Sequence, residues 1–277
     1  ALWPRGSGLV AVDLGGDPGN GTAQVQCGEG LSQKHFLERK DYPNARCLDG
    51  SQGAYYFSKG SGDGAKKFYI YRDGGAFCGS WTECRMRALM PLGSAGCLFH
   101  PTCTDLKTKH MGFSRHKVKN PLLHNWNHVR MLYCDGMYYA GKNLNPKGFG
   151  VYFQGGFIME AVIDDLAKQF GLSEATEVVI GGCSAGAIST IATVDWIKTL
   201  VHAKSPDAKV AGFASSGYFQ DYNFPNTKFR DKKKFPYEEA LIKHALPSKC
   251  VEEHAGEEHL CLISEIVAPY VETPLFM

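Results

Sequence analysis

The chain has 277 residues, 44% of them hydrophobic, and a formal net charge of +2 at pH 7. That apolar share suffices for a large core, and near-neutrality leaves no global field to recruit nucleic acid or an acidic membrane surface. No apolar stretch approaches the ~20 residues of a membrane span, so neither a nucleic-acid partner nor a transmembrane segment is expected.

Residues 1–50 are rich in Gly, Asp, Asn and Pro, which predicts loops and short edge strands. They include a glycosylation acceptor triplet, Asn20-Gly21-Thr22, and no basic-then-apolar leader, as in a mature form or a fragment. Phe68–Tyr71 reads as a compact strand running into Asp73-Gly74-Gly75-Ala76-Phe77-Cys78. Residues 78–120 hold Cys, Gly, Pro and charges without clear periodicity and predict a disulfide-stapled insertion; Gly93-Ser94-Ala95-Gly96 within it reads as loop. Val129–Tyr133 is a second strand. Phe157, Ile158, Val162, Ile163, Leu166 and Phe170 mark one face of a helix that stops at Gly171. Strands follow at Glu177–Ile180 and Lys209–Ala214, and Pro274–Met277 begins another. Lys232-Lys233-Lys234 reads as a solvated loop face. Strands alternating with helices imply a single α/β domain over residues 1–277, with a mostly parallel sheet and helices on both faces.

Ten cysteines point to disulfides and an oxidising compartment. Cys97, His100, Cys103 and His110 come nearest to a zinc set, but their spacing is poor; no metal and no cofactor are expected. Sequence proximity suggests Cys97–Cys103 and Cys250–Cys261 as bridges.

The centre of the reading is Gly182-Cys183-Ser184-Ala185-Gly186, directly after Val178-Val179-Ile180 and ahead of Ile188, Ile191, Ala192, Trp196 and Leu200 at helical spacing. G-x-S-x-G between strand and helix is a nucleophile elbow, which pushes the Ser184 hydroxyl out at the carboxyl end of the strand. An ester hydrolase also needs preorganised N–H donors for its oxyanion. In this arrangement one comes from the residue after the nucleophile, Ala185, and the other from a Gly-rich loop after an earlier strand, which Gly74-Gly75-Ala76 matches in order.

Five stretches occur in the order found in plant pectin acetylesterases, a family that includes the animal Wnt deacylase Notum. They are Ala45–Ser51, Asp73–Cys78, Asn125–Val129 with Tyr133–Gly136, Gly182–Gly186 and Ser216–Phe219. The resemblance runs from about residue 45 to the end. It implies a secreted serine carboxylesterase of α/β-hydrolase fold, with Ser184 as nucleophile and the backbone of Gly75, Ala76 and Ala185 as oxyanion donors. It also implies disulfides Cys78–Cys84 and Cys47–Cys134. Cys183 is expected to stay a thiol because it packs in the elbow beside the nucleophile, and Cys27 to pair beyond the chain. Two positions depart from the family: Ala76-Phe77 stands where a Trp usually shapes the acyl pocket, and Ser215 stands where many relatives carry Asp, the nearest acid being Asp221.

The base and its orienting acid normally follow the serine in the order Asp, then His. The family's Asp follows a Thr-Pro-Leu-Phe segment, here Thr273–Phe276, so the triad Asp and His are expected beyond Met277, in a protein truncated at its carboxyl end. His202, His244, His254 and His259 follow Ser184 but are weaker candidates, and Glu252-Glu253 and Glu257-Glu258 read as a solvated face. The expected substrate is a short acyl ester, O-acetyl on cell-wall or matrix polysaccharide. Phe77 and Trp81 are expected to close the acyl pocket, with Tyr218 and the Tyr138–Gly141 and Ser215–Tyr222 segments stacking on sugar rings. Two alternatives stand beside it, deacylation of a lipidated protein and a catalytically inactive glycan-binding relative. A monomer is expected.

Overall fold

A computed structural model describes residues 27–28, 30–108, 110–144, 150–221 and 229–277. The Asn20 acceptor triplet and Tyr222 lie outside them. Eight strands form one sheet: β1 (Ser32–Phe36), β2 (Ala54–Ser58), β3 (Lys67–Arg72), β4 (Cys103–Thr104), β5 (Asn127–Met131), β6 (Glu177–Cys183), β7 (Lys209–Ser215) and β8 (Leu275–Phe276). Their order is β4-β1-β2-β5-β3-β6-β7-β8. From β5 to β8 the neighbours run parallel, whereas β4, β1 and β2 add an antiparallel edge. The fold is therefore of the α/β-hydrolase type with a mixed, mostly parallel sheet.

Three longer helices matter for the site: α1 (Trp81–Ala88), α2 (Gly155–Gln169) and α3 (Ala185–His202). Register explains where they pack. Phe57, Val129, Ile70, Ile180 and Gly212 lie side by side across five strands on one face. On that face α2 meets β2, through Tyr55 Oη donating to Asp165 and the Phe57–Phe170 ring contact, while α3 meets β3 through Arg72. The opposite face, with Tyr69, Tyr71 and His128, is met by the 110–113 turn through His110 and Phe113. That turn includes the short 3-10 helix Met111–Phe113.

Helix α1 lies inside the stretch expected to be an insertion without periodicity. Its start is chemically marked: Ser80 Oγ accepts from Glu83 N at 3.2 Å, and Glu83 Oε2 accepts from Gly79 N at 2.8 Å, a reciprocal cap of the Ser-x-x-Glu kind. Helix α2 ends before Gly171, which takes φ 77°, a left-handed conformation that glycine adopts readily.

Disulfides join Cys27–Cys103, Cys47–Cys134, Cys78–Cys84 and Cys250–Cys261. The expected Cys97–Cys103 bridge is corrected, as is the expectation that Cys27 pairs outside the chain. The antiparallel ladder sets Gln33 of β1 opposite Cys103 of β4, which brings the residues just before β1 to Cys103, with 5.6 Å between the Cα atoms of Cys27 and Cys103. Cys97 is an exposed free thiol whose sulfur accepts from Lys34 Nζ, and Cys183 is also free.

Candidate active site

Ser184 sits between the last residue of β6 and the first of α3, with φ 54° and ψ −120°. Few residues tolerate such a backbone, and strain of this kind is characteristic of functional turns. Its neighbours make it possible. A Cβ on Gly182 would lie 2.2 Å from Gly186 O, and one on Gly186 would lie 2.2 Å from Arg72 O and 2.7 Å from Asp73 O. Backbone cannot yield at those distances, so both positions require glycine. Ser184 N donates to Ser215 O of β7, and Ser184 O accepts from Ala187 N and Ile188 N. The side chain is half-buried at the carboxyl edge of the sheet. It does not line the apolar 580 Å³ cavity on the second face, which is bounded by Tyr69, His110, Val179 and Phe213.

The loop after β3 comes to the same place. A Cβ on Gly74 would lie 2.9 Å from Ser184 Cβ and 2.7 Å from Cys183 O. Gly75 takes φ 142° and Ala76 φ 57°. Arg87 Nη1 donates to Gly75 O at 2.7 Å, and in a trans peptide this turns the Ala76 N–H the opposite way, away from the arginine. Asp73 anchors the loop: its carboxylate pairs with Arg130 at 2.6 Å and its carbonyl accepts from Tyr139 Oη at 3.0 Å. The structure thus brings Ser184, Ala185, Gly75 and Ala76 together at adjacent strand ends.

The expected pocket residues divide. Phe77 is half-buried, 5.3 Å from the Tyr138 ring. Trp81 packs at 5.4 Å on Phe153 and 5.5 Å on Phe235. Tyr218 and its neighbour Phe219 are exposed, on a loop pinned by Ser264 Oγ donating to Gly217 O. Tyr138, Tyr139 and Ala140 are buried, so the expectation that Tyr138–Gly141 stacks on sugar rings is corrected: these rings form the bed beneath the Gly74–Ala76 loop. Tyr133 stacks on Tyr139 at 4.7 Å, and its hydroxyl accepts from Tyr138 N. The solvated-face reading of Lys232-Lys233-Lys234 is likewise corrected at Lys233. That side chain is fully buried, its Nζ donating to Tyr138 Oη at 2.6 Å and lying 4.6 Å from the Phe77 ring. Burial pushes its ammonium down to about 7. A run of three lysines carries no signal that one of them turns inward.

Histidines following Ser184 are engaged locally. His202 Nε2 faces Ala208 O, His244 Nδ1 faces Leu241 O and His254 Nδ1 faces Cys250 O, while His259 is buried. Cys250, His254 and Cys261 lie within metal-ligand distance of one another, but the two sulfurs are bonded together. Cys103 of the poor zinc set is also in a disulfide.

Asp135 is buried beside α2, with Oδ1 accepting from Tyr139 N at 3.3 Å and Oδ2 against Gly155. Burial raises its carboxyl from 3.8 to about 6, against hydrogen bonds from Met137 and Tyr139 and the Arg87 charge, which lower it. A carboxyl raised on folding holds its proton better in the folded state. Its contribution to stability is therefore complete below the unfolded value and lost as pH rises through the folded one. Asp135→Asn is expected to gain stability over the parent as pH rises from about 4 to about 7, by on the order of 3 kcal/mol. Urea midpoints across that range check this; a difference that does not change with pH would show that Asp135 does not titrate there.

The model of the pectinacetylesterase family matches residues 28–277. Pectin acetylesterase 11 of Arabidopsis thaliana is 31% identical over 253 residues, covering 87% of this chain and 60% of that protein. The palmitoleoyl-protein carboxylesterase NOTUM of Schmidtea mediterranea is 27% identical over 255 residues, covering 87% of this chain and 47% of that protein. The structure of the Wnt deacylase Notum from Drosophila superposes with a TM-score of 0.76 at 23% identity, covering 88% of this chain and 70% of that one, which shows a shared fold. The chain spans between about half and two thirds of the length of the first plant relatives it matches. Matched by the family over nearly its whole described length, the chain belongs to the pectinacetylesterase family.

Proposed function

We propose that the chain carries the nucleophile and oxyanion hole of a secreted serine carboxylesterase that removes short acyl groups, O-acetyl on polysaccharide above all. The observation that carries this reading is the approach of the Gly74 loop to the strained Ser184. On this reading the N–H groups of Gly75 and Ala76 from one loop and of Ala185 from α3 serve the ester bound at one hydroxyl. Ser184 Oγ attacks the ester carbonyl as a histidine takes its proton, and the carbonyl oxygen becomes an anion facing the N–H groups of Gly75, Ala76 and Ala185. Collapse breaks the C–O bond and the histidine protonates the departing alcohol. Water, deprotonated by the same base, then releases the acid and restores Ser184. The local engagements of His202, His244 and His254 argue against each of these as the base. Plant relatives named as pectin acetylesterases support polysaccharide acetate as substrate, and the four disulfides support secretion. The protein is read as a monomer that needs no cofactor.

A second reading, removal of a longer acyl chain from a protein, is favoured by Leu92. A Cβ on Gly75 would lie 2.7 Å from Leu92, which is 37% exposed, and Met86, Leu89 and Met90 close by in the chain are exposed too. Matched acetyl and long-chain esters of one alcohol, assayed with the full-length protein, separate the two. A higher kcat/KM for acetate is expected. Equal or better values for a chain of about eight carbons would establish the second reading, since each added methylene in a fitting pocket is worth roughly 1–3 kcal/mol.

A further inference from the structure

Arg72 ends β3 one residue before the oxyanion loop, and its side chain is fully buried. Nη1 donates to Ser189 Oγ at 2.7 Å and to Thr193 Oγ1 at 2.9 Å, both on α3. Nε and Nη2 have no hydrogen-bond partner among the described residues, and the Tyr139 ring lies 5.9 Å from Cζ. Burial pushes the guanidinium down to about 9, with Tyr139 acting the other way, so it stays cationic at neutral pH.

A buried cation held only by hydroxyls is unfavourable for folding. An apolar residue of similar length would leave no donor stranded, because Ser189 Oγ donates to Tyr138 O and Thr193 Oγ1 to Ser189 O. Stability therefore does not account for an arginine here, whereas its location does. The Arg72 backbone is registered opposite Gly182, and its carbonyl lies against Gly186. The side chain grips the helix that begins with Ala185, while the main chain leads directly into Gly74–Ala76. Through Ser189 the contact extends to Tyr138, whose ring lies beside Phe77.

We propose that Arg72 is a positioning residue of the hydrolytic site, clamping the first turns of α3 to the end of β3 so that the Ala185 and Ala76 N–H groups address one oxyanion. This rests on the esterase reading above.

The test compares full-length wild type, Arg72→Met and Arg72→Lys on an acetyl ester, with active sites titrated by a fluorophosphonate. In Arg72→Met, kcat per titrated site is expected to fall roughly 10- to 100-fold, as small misplacements of catalytic donors do. KM should be unchanged and the thermal midpoint equal or higher; Arg72→Lys should recover part of the loss. A purely structural arginine would instead lower the midpoint and the titratable fraction while surviving sites turned over normally, and that result overturns the proposal. Ser189→Ala gives a second handle should Arg72→Met not accumulate: it is expected to lower kcat several-fold, and unchanged turnover in it is equally fatal. Absence of Ser184-dependent turnover in the wild type overturns both readings, and so is distinguished from failure of the clamp alone.

Discussion

Ser184→Ala in the full-length protein is expected to abolish fluorophosphonate labelling and to lower ester turnover by about a millionfold, the size of loss seen when the nucleophile of a triad is removed. A residue of roughly a thousandfold over water should persist, because the oxyanion donors and the binding surface remain. Stability should hardly change. Alanine keeps the Cβ that meets the Gly74 loop, so the backbone at φ 54° is no more strained than before. The elbow's hydrogen bonds at this residue, to Ser215 O and from Ala187 N and Ile188 N, are all main-chain. The measurement is a paired assay of labelling and turnover with thermal midpoints. Turnover that survives the substitution would remove Ser184 from the chemistry, and an inactive but correctly folded wild type would favour the glycan-binding reading.

Five residues other than glycine hold positive φ near this point or in the bed beneath it: Ala76, Tyr138, Tyr139, Ser184 and Ser216. Each such conformation costs of order 1 kcal/mol or more and persists only where surroundings over-determine it. Here the surroundings are identifiable. Gly217 presses on Ala187 at the start of α3, Arg87 fixes the carbonyl of Gly75, and Tyr138 is held at its backbone by Tyr133 and Ser189 and at its hydroxyl by Lys233.

Much of this was legible in sequence where local chemistry and tertiary demand coincide. β3 and β6 are short runs of aromatic and β-branched residues that the middle of a parallel sheet needs, and α2 carries its apolar face at helical spacing. The elbow could be placed because only glycine fits beside Ser184. Other elements had signals that went unread: Ala54–Ser58 is an aromatic run between glycines, and Ser80-Trp81-Thr82-Glu83 is a cap. The remainder has no local signature. Cys27 and Cys103 meet because β1 and β4 pair, and the inward turns of Arg72 and Lys233 depend on Ser189, Thr193 and Tyr138, all distant in the chain.

Two disulfides close on the site, and removing each should have a different signature. Cys47–Cys134 spans 87 residues and Cys78–Cys84 only 6. Chain entropy then predicts stabilisation of about 4.6 kcal/mol for the long loop and about 2.2 kcal/mol for the short one. The Cys47→Ser, Cys134→Ser double variant should therefore show the larger fall in thermal midpoint. Function should rank them the other way. Cys78 follows Ala76 by two residues, and its N–H donates to Gly136 O at 3.3 Å. The short bridge thus ties the end of the Gly74–Ala76 loop to α1, whose Arg87 holds the Gly75 carbonyl. Cys134 instead ties to Cys47, and its carbonyl accepts from Leu48 N, so that bridge makes no link to α1. The Cys78→Ser, Cys84→Ser variant is expected to lose more kcat per titrated site than the long-loop variant while losing less stability. Midpoints and titrated turnover measured on both proteins check this crossing. If kcat instead tracks stability in the two variants, the short bridge acts only as a staple and not as a restraint on the oxyanion loop.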